Sequence, residues 1–227
     1  AAQGTVRRPA GPELRTPLGG VFLLLPLLAE LPWREATDAW PPLAAVPAAR
    51  AVAFLAVVGA PGAERNLAAF RDPTLRLATG IPDDVSMDHL ATWAGAVPTL
   101  ATERLVEVWD ARTIGWGTDA RASASPDPYL TLALPFTPPI RRALAVLSES
   151  LLRGLAQRLP GFSRSSPSYL WDNFLNFDAL VRLEDERMVV ECGKPPLDVV
   201  LSLAGIKRKR FRLEATGRLE WVLTYRR

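Results

Sequence analysis

The stretch Thr16 to Trp33, TPLGGVFLLLPLLAELPW, constrains this chain more than any other. Val21, Phe22, Leu23, Leu24, Leu25, Leu27 and Leu28 leave no polar side, and a helix apolar all round has to be covered on every side. A membrane-spanning helix needs about 20 apolar residues, whereas this run meets Pro26 inside it and Glu30 just beyond. No membrane span is expected. The run reads instead as the inner helix of a helical core, broken or bent near Leu25, where Pro26 removes a backbone donor. A cover is at hand in Ala48 to Val58, AARAVAFLAVV, whose apolar residues recur at helical spacing before Gly59 and Pro61 stop it.

The rest of the chain divides by composition and period. Residues 1–15, AAQGTVRRPAGPELR, lack periodicity and read as a flexible arm without a secretory signal. Residues 16–114 read as a helical region. It holds short helices on either side of Asp72-Pro73, and a helix carrying Met87, Leu90 and Trp93 behind Ser86 as N-cap. Thr99 to Trp109 reads as a further helix, although Val106-Glu107-Val108 leaves a strand open. Residues 115–128, rich in Gly, Ala, Ser and Pro, read as a loop. Residues 129–170 are expected to start extended, at Tyr129 to Leu134. An amphipathic helix follows, marked by Ile140, Leu144, Leu147, Leu151, Leu155 and Leu159, and then a linker.

In residues 171–227 the period changes from about four to two. Val181 and Leu183 face Met188, Val190 and Cys192 in a hairpin pattern, and Leu197 to Ala204 reads as a short helix ending at Gly205. Phe211 and Leu213, a turn at Thr216-Gly217, and Leu219, Trp221, Leu223 and Tyr225 make a second hairpin. The expected fold class is α+β, an N-terminal all-helical region followed by a small C-terminal ββαββ antiparallel unit.

Reactive residues are few. One cysteine, Cys192, and one histidine, His89, fall short of the roughly four N or S ligands a zinc site needs. Gly115-Trp116-Gly117-Thr118-Asp119-Ala120 satisfies G-x-G-x-x-A, but the Ser, Ala and Pro that follow cannot open the long helix that receives a pyrophosphate. Ser86, Asp88 and His89 would serve a hydrolase or transferase only with an oriented histidine and a constrained serine turn, and no G-x-S-x-G is present. His89 reads as a helix-surface residue. Asp83, Asp84 and Asp88 read as charges placed before a helix N-terminus, and Cys192 as a buried structural thiol. No catalytic, cofactor-binding or metal-binding residue is assigned, no cofactor is expected, and a non-enzymatic role is.

The formal charge of +3 is mild for a dedicated nucleic-acid binder. The only concentrated charge is Lys207-Arg208-Lys209-Arg210 with Phe211 and Arg212. It reads as a solvated edge strand, where cations block aggregation. A partner-binding strand for an acidic protein surface is the next reading, and a phosphate backbone the less favoured one.

Two ends of the chain resemble a known family. Gly20 to Leu31 followed by Pro47-Ala48-Ala49-Arg50-Ala51-Val52 is similar to the paired N-terminal helices of contractile injection system tape measure proteins. Phe174-Leu175, the hairpin through Val190 and Leu197-Asp198-Val199-Val200-Leu201 resemble that family's C-terminal part. Thr16-Pro17-Leu18-Gly19-Gly20-Val21-Phe22 and Leu203-Ala204-Gly205-Ile206 also resemble uncharacterised companion proteins of injection-system gene clusters. This chain departs from them in carrying Lys207 to Arg210 where they continue with an aspartate and a Pro-Gly-Trp. Residues 16 to 60 and 171 to 227 are covered. The resemblance implies a bacterial structural or assembly protein of a phage-tail-like particle, made in the cytoplasm and incorporated into the particle, with tube, baseplate or effector proteins as partners. It carries over no catalytic residue.

Overall fold

The computed structural model describes residues 13–116, 127–134, 136–184, 187–206, 210–213 and 220–226. Strand β1 (Glu13–Thr16) leads into a 3-10 helix (Gly19–Leu23) and α1 (Leu25–Leu28), so the apolar run becomes two short helices hinged at Leu24. Pro26 lies in the first turn of α1, where its missing N–H has no intrahelical acceptor to lose. Val21, Phe22, Leu24, Leu25, Leu27 and Leu28 are all buried, and each contributes about 1.5–3 kcal/mol by leaving water.

The helical layer continues with α2 (Trp33–Ala36), α3 (Ala48–Gly59), α4 (Asn66–Arg71), α5 (Pro73–Thr79), α6 (Met87–Ala96) and α7 (Thr99–Thr113). After a 3-10 turn (Pro128–Leu130) come α8 (Pro138–Gln157), α9 (Pro167–Leu170) and a π-helical turn (Trp171–Leu175). The choice left open at Val106 to Val108 resolves as helix, since Leu105, Val108 and Trp109 are buried at helical spacing. Tyr129 to Leu134 was expected to be extended. Its start is instead a helical turn, because Asp127 accepts the Tyr129 N–H at 2.9 Å and Pro128 opens the turn.

Strands β2 (Ala179–Glu184) and β3 (Arg187–Cys192), helix α10 (Asp198–Leu203), then β4 (Arg210–Arg212) and β5 (Glu220–Tyr225) follow, which makes the fold α+β. The sheet order is β1-β2-β3-β5-β4. Two expectations need correction. Glu13 to Arg15, assigned to the flexible arm, pair antiparallel with β2, Leu14 opposite Val181. The sheet is also mixed, because the connection through α10 and β4 returns the chain so that β5 runs parallel to β3. Hairpin patterns report local pairing and carry no signal for pairs distant in sequence.

Met188, Val190, Cys192, Trp221 and Leu223 form the buried face of the sheet, and one contiguous core joins it to the helices. The 3-10 helix packs on β2, β3 and the π-helical turn, α1 packs on α8, and α3 packs on α8, α5 and α4. The apolar run and α3 therefore share α8 as a neighbour. Gly20 permits the closest approach: a Cβ there would lie 2.0 Å from the Leu175 carbonyl oxygen. The adjacent Gly19 N–H donates to the Phe177 carbonyl at 2.8 Å.

Candidate interaction surface

Strand β4 forms one edge of the sheet, and its three residues alternate as a strand should. Phe211 turns inward onto Trp221, rings 6.2 Å apart and 10° from parallel, and Trp221 rests on Phe22 at 6.1 Å. The apolar run thus anchors the basic strand through a chain of three rings. Arg210 and Arg212 face outward and are exposed. Lys207, Arg208 and Lys209 lie outside the described residues.

The charges on the same outer face are elsewhere consumed pairwise. Arg182 reaches Glu191 at 3.1 Å and Glu13 at 3.6 Å, Arg226 reaches Glu191 at 3.1 Å and Asp178 at 3.2 Å, and Arg187 reaches Glu220 at 2.9 Å. Arg210 and Arg212 make no ion pair among the described residues, so their charge faces solvent. Helix α10, just before this strand, buries Leu201 but leaves Val199 71% and Leu203 77% exposed. These two residues sit one turn apart on the same face. Sequence alternation and periodicity account for Leu201; the exposed pair is visible only once the fold shows which side of α10 is covered.

The reactive residues singled out in the sequence are engaged in holding the fold. Ser86 and His89 form a capping box: the Ser86 hydroxyl accepts the His89 N–H at 3.2 Å, and the Ser86 N–H donates to His89 Nδ1 at 3.3 Å. Asp88 lies in the first turn of the same helix. Asp83 and Asp84 stand near Arg76, a buried arginine that sequence reading missed. Its guanidinium donates to the carbonyls of Phe70 (3.0 Å), Pro82 (2.8 Å) and Val85 (3.0 Å), with the Phe70 ring 4.6 Å and the Phe54 ring 5.9 Å away. Burial pulls its pKa down, and the two aspartates oppose that shift. Cys192 is fully buried on β3, and burial, with the charge of Asp178, pushes its thiol up to about 12. Gly115 and Trp116 follow helix α7 in a 3-10 turn, not the strand a dinucleotide fingerprint requires, and Gly117 to Ala120 lie outside the described residues.

A cleft of about 880 Å³ lies between α2 and α7, with Leu31, Trp33 and Val108 among its apolar residues. Its charges are partly tied to one another: Arg104 reaches Glu35 at 3.0 Å, Arg158 reaches Glu30 at 2.6 Å, and Arg112 donates to the Glu30 carbonyl at 3.2 Å. These partners lie 69 to 128 positions apart in sequence, beyond any motif. Among the described residues there is no cluster of His, Cys, Asp and Glu able to hold a metal, and no helix long and apolar enough to cross a membrane. Comparisons with protein-family models, curated proteins and solved structures gave no match to this chain.

Proposed function

We propose that this chain is a non-enzymatic structural or interaction protein of a phage-tail-like contractile injection system, a tape measure or an accessory assembly protein. The observation that carries the reading joins sequence to fold. The two segments that resemble the tape measure family, residues 16 to 60 and 171 to 227, pack against each other although the whole middle of the chain separates them. The Gly19–Phe177 hydrogen bond, the Gly20–Leu175 approach and the Phe22–Trp221 contact all cross between them. A resemblance confined to two ends is what one folded unit interrupted by a variable middle would leave in sequence. The commitment of Ser86, His89, Cys192 and Arg76 to the scaffold supports a role in assembly.

In this role the protein is made in the cytoplasm, enters the particle, and contacts tube, baseplate or effector proteins. Deleting its gene is expected to change the length or yield of particles seen by electron microscopy. Particles of normal length, yield and firing would overturn the proposal. The exposed Arg210 and Arg212 favour a second reading, an adaptor or chaperone holding an acidic effector surface. Capture of the partner by R210E/R212E, unchanged across a salt series, would exclude that reading, because such a contact has to weaken with screening.

A further inference from the structure

Helix α7 carries a second exposed surface whose charge is opposite to that of β4. Leu100, Glu103, Glu107, Asp110 and Ile114 recur at alternating intervals of three and four, so they form one ridge along the helix, about 21 Å from end to end. The ridge is apolar at both ends, where Leu100 is 76% and Ile114 77% exposed, and acidic between them. Glu103 and Glu107 are exposed and make no ion pair among the described residues. Beside the ridge runs a groove of about 550 Å³, walled by Thr102 and Val106 of α7 and by Pro138, Arg142, Ala143 and Val146 of α8, with Glu103 and Glu107 at its rim. A groove with an apolar wall at Val106, Ala143 and Val146 and two unpaired carboxylates among the described residues at its rim calls for an occupant that brings apolar side chains and cations.

The chain itself carries that occupant. Val199 and Leu203 protrude from α10, and Arg210 and Arg212 face solvent on the strand that follows. Within one molecule β4 is held on β5, in register Phe211 opposite Trp221, and no ion pair joins its arginines to α7. We infer that two copies of this protein associate head to tail, the α10–β4 surface of one seating on the α7 ridge and groove of the next. Two different patches meet in such a contact, so it is heterologous and leaves each end of the pair free to add another copy. The inference stands on these two surfaces and does not depend on the injection-system reading.

Sedimentation velocity on the full chain, from about 1 to about 300 µM in low salt, tests it. The wild type is expected to grow beyond a dimer with concentration and to weaken at least tenfold when salt rises from about 0.05 to about 0.5 M. E103K/E107K and R210E/R212E should each be monomeric alone. All four residues are exposed, and unchanged circular dichroism would establish that the variants fold. Mixed together, the two variants bring opposite charges to both contacts, so they should co-assemble beyond a dimer although neither associates alone. The fourfold charge swap should associate again. A wild type that stays monomeric over this range overturns the inference, as does self-association of either double variant at wild-type strength. A monomeric chain whose deletion still alters particle length would overturn self-association while leaving the assembly role standing.

Discussion

Replacing Arg76 by methionine isolates the largest hidden dependence in the helical layer. Methionine keeps the apolar stem between Phe54 and Phe70 and removes the guanidinium that ties the end of α4 to the turn before α6. Of the three carbonyls it satisfies best, those of Phe70 and Val85 belong to buried residues and lose their side-chain donor, while that of Pro82 is on an exposed turn and can take water. A buried polar group left unsatisfied costs about 1–3 kcal/mol, so the two carbonyls set a loss of about 2–6 kcal/mol. Relief of the desolvation of the guanidinium offsets several kcal/mol, and loss of the ring contacts adds about 1 kcal/mol. The expected net loss is about 2 kcal/mol, read as a lower urea midpoint at constant slope. Lysine, with one compact ammonium in place of the planar fork, should recover less than half of it. Arg71→Ala, at an exposed position one helix earlier, should stay within about 0.5 kcal/mol. An R76M variant as stable as R71A would refute the claim that this arginine organises the turn.

Three further outcomes are expected. Gly20→Ala drives a Cβ into the Leu175 backbone, which no rotamer can relieve, and should cost more than about 3 kcal/mol or abolish soluble folded protein; an alanine variant with wild-type melting would show that the approach is looser. Asp72 caps α5 through the N–H groups of Thr74 and Leu75 and also accepts the Thr16 and Thr74 hydroxyls, so D72A should lose about 1 kcal/mol for the cap and about 1–3 kcal/mol for stranded buried hydroxyls, and T16V should lose less. The folded thiol of Cys192 titrates near 12 against a usual value of 9.0, so its contribution is whole below pH 9 and fades as pH rises toward 12. By pH 10 that loss is about 1.4 kcal/mol, and a Cys192→Ala variant should show a correspondingly flatter fall between pH 8 and pH 10 in urea titrations.

Most of the helices were legible because their signals are local. Asp72-Pro73 and Ser86 supply their caps within three residues, and the spacing of Ile140 to Leu159 identifies α8 without any knowledge of its partners. The antiparallel pairs β2–β3 and β4–β5 were legible for the same reason, alternation of buried and outward residues along the strands, while the turn read at Thr216-Gly217 lies outside the described residues. What escaped depends on contacts distant in sequence. Strand β1 is four residues, ELRT, and becomes a strand only because β2, more than 160 positions later, offers an edge. The parallel β3–β5 pairing leaves no mark in either strand. Arg76, read alone, is an arginine in a short helix; only the fold of residues 80 to 86 around it reveals that it is inside. On the interaction surface, the sequence showed the basic run and its ring residue Phe211. It did not show that neighbouring arginines would be neutralised while Arg210 and Arg212 would not, nor that Val199 and Leu203 would face outward.

The ring contact between Phe22 and Trp221 also sets a schedule for biosynthesis. The most apolar segment of the protein leaves the ribosome well ahead of its cover: Trp221, on the strand that closes over Phe22, emerges 199 residues later. At about 5–20 residues per second, Gly19 to Leu28 waits about 10–40 s for its sheet. During that time α8 can cover α1, but the 3-10 helix has no strands to lie on and Gly20 has no Leu175 backbone to meet. A nascent chain stalled before residue 170 should therefore bind general chaperones through Val21 to Leu28, and lose them once residues 179 to 225 have emerged and the sheet closes.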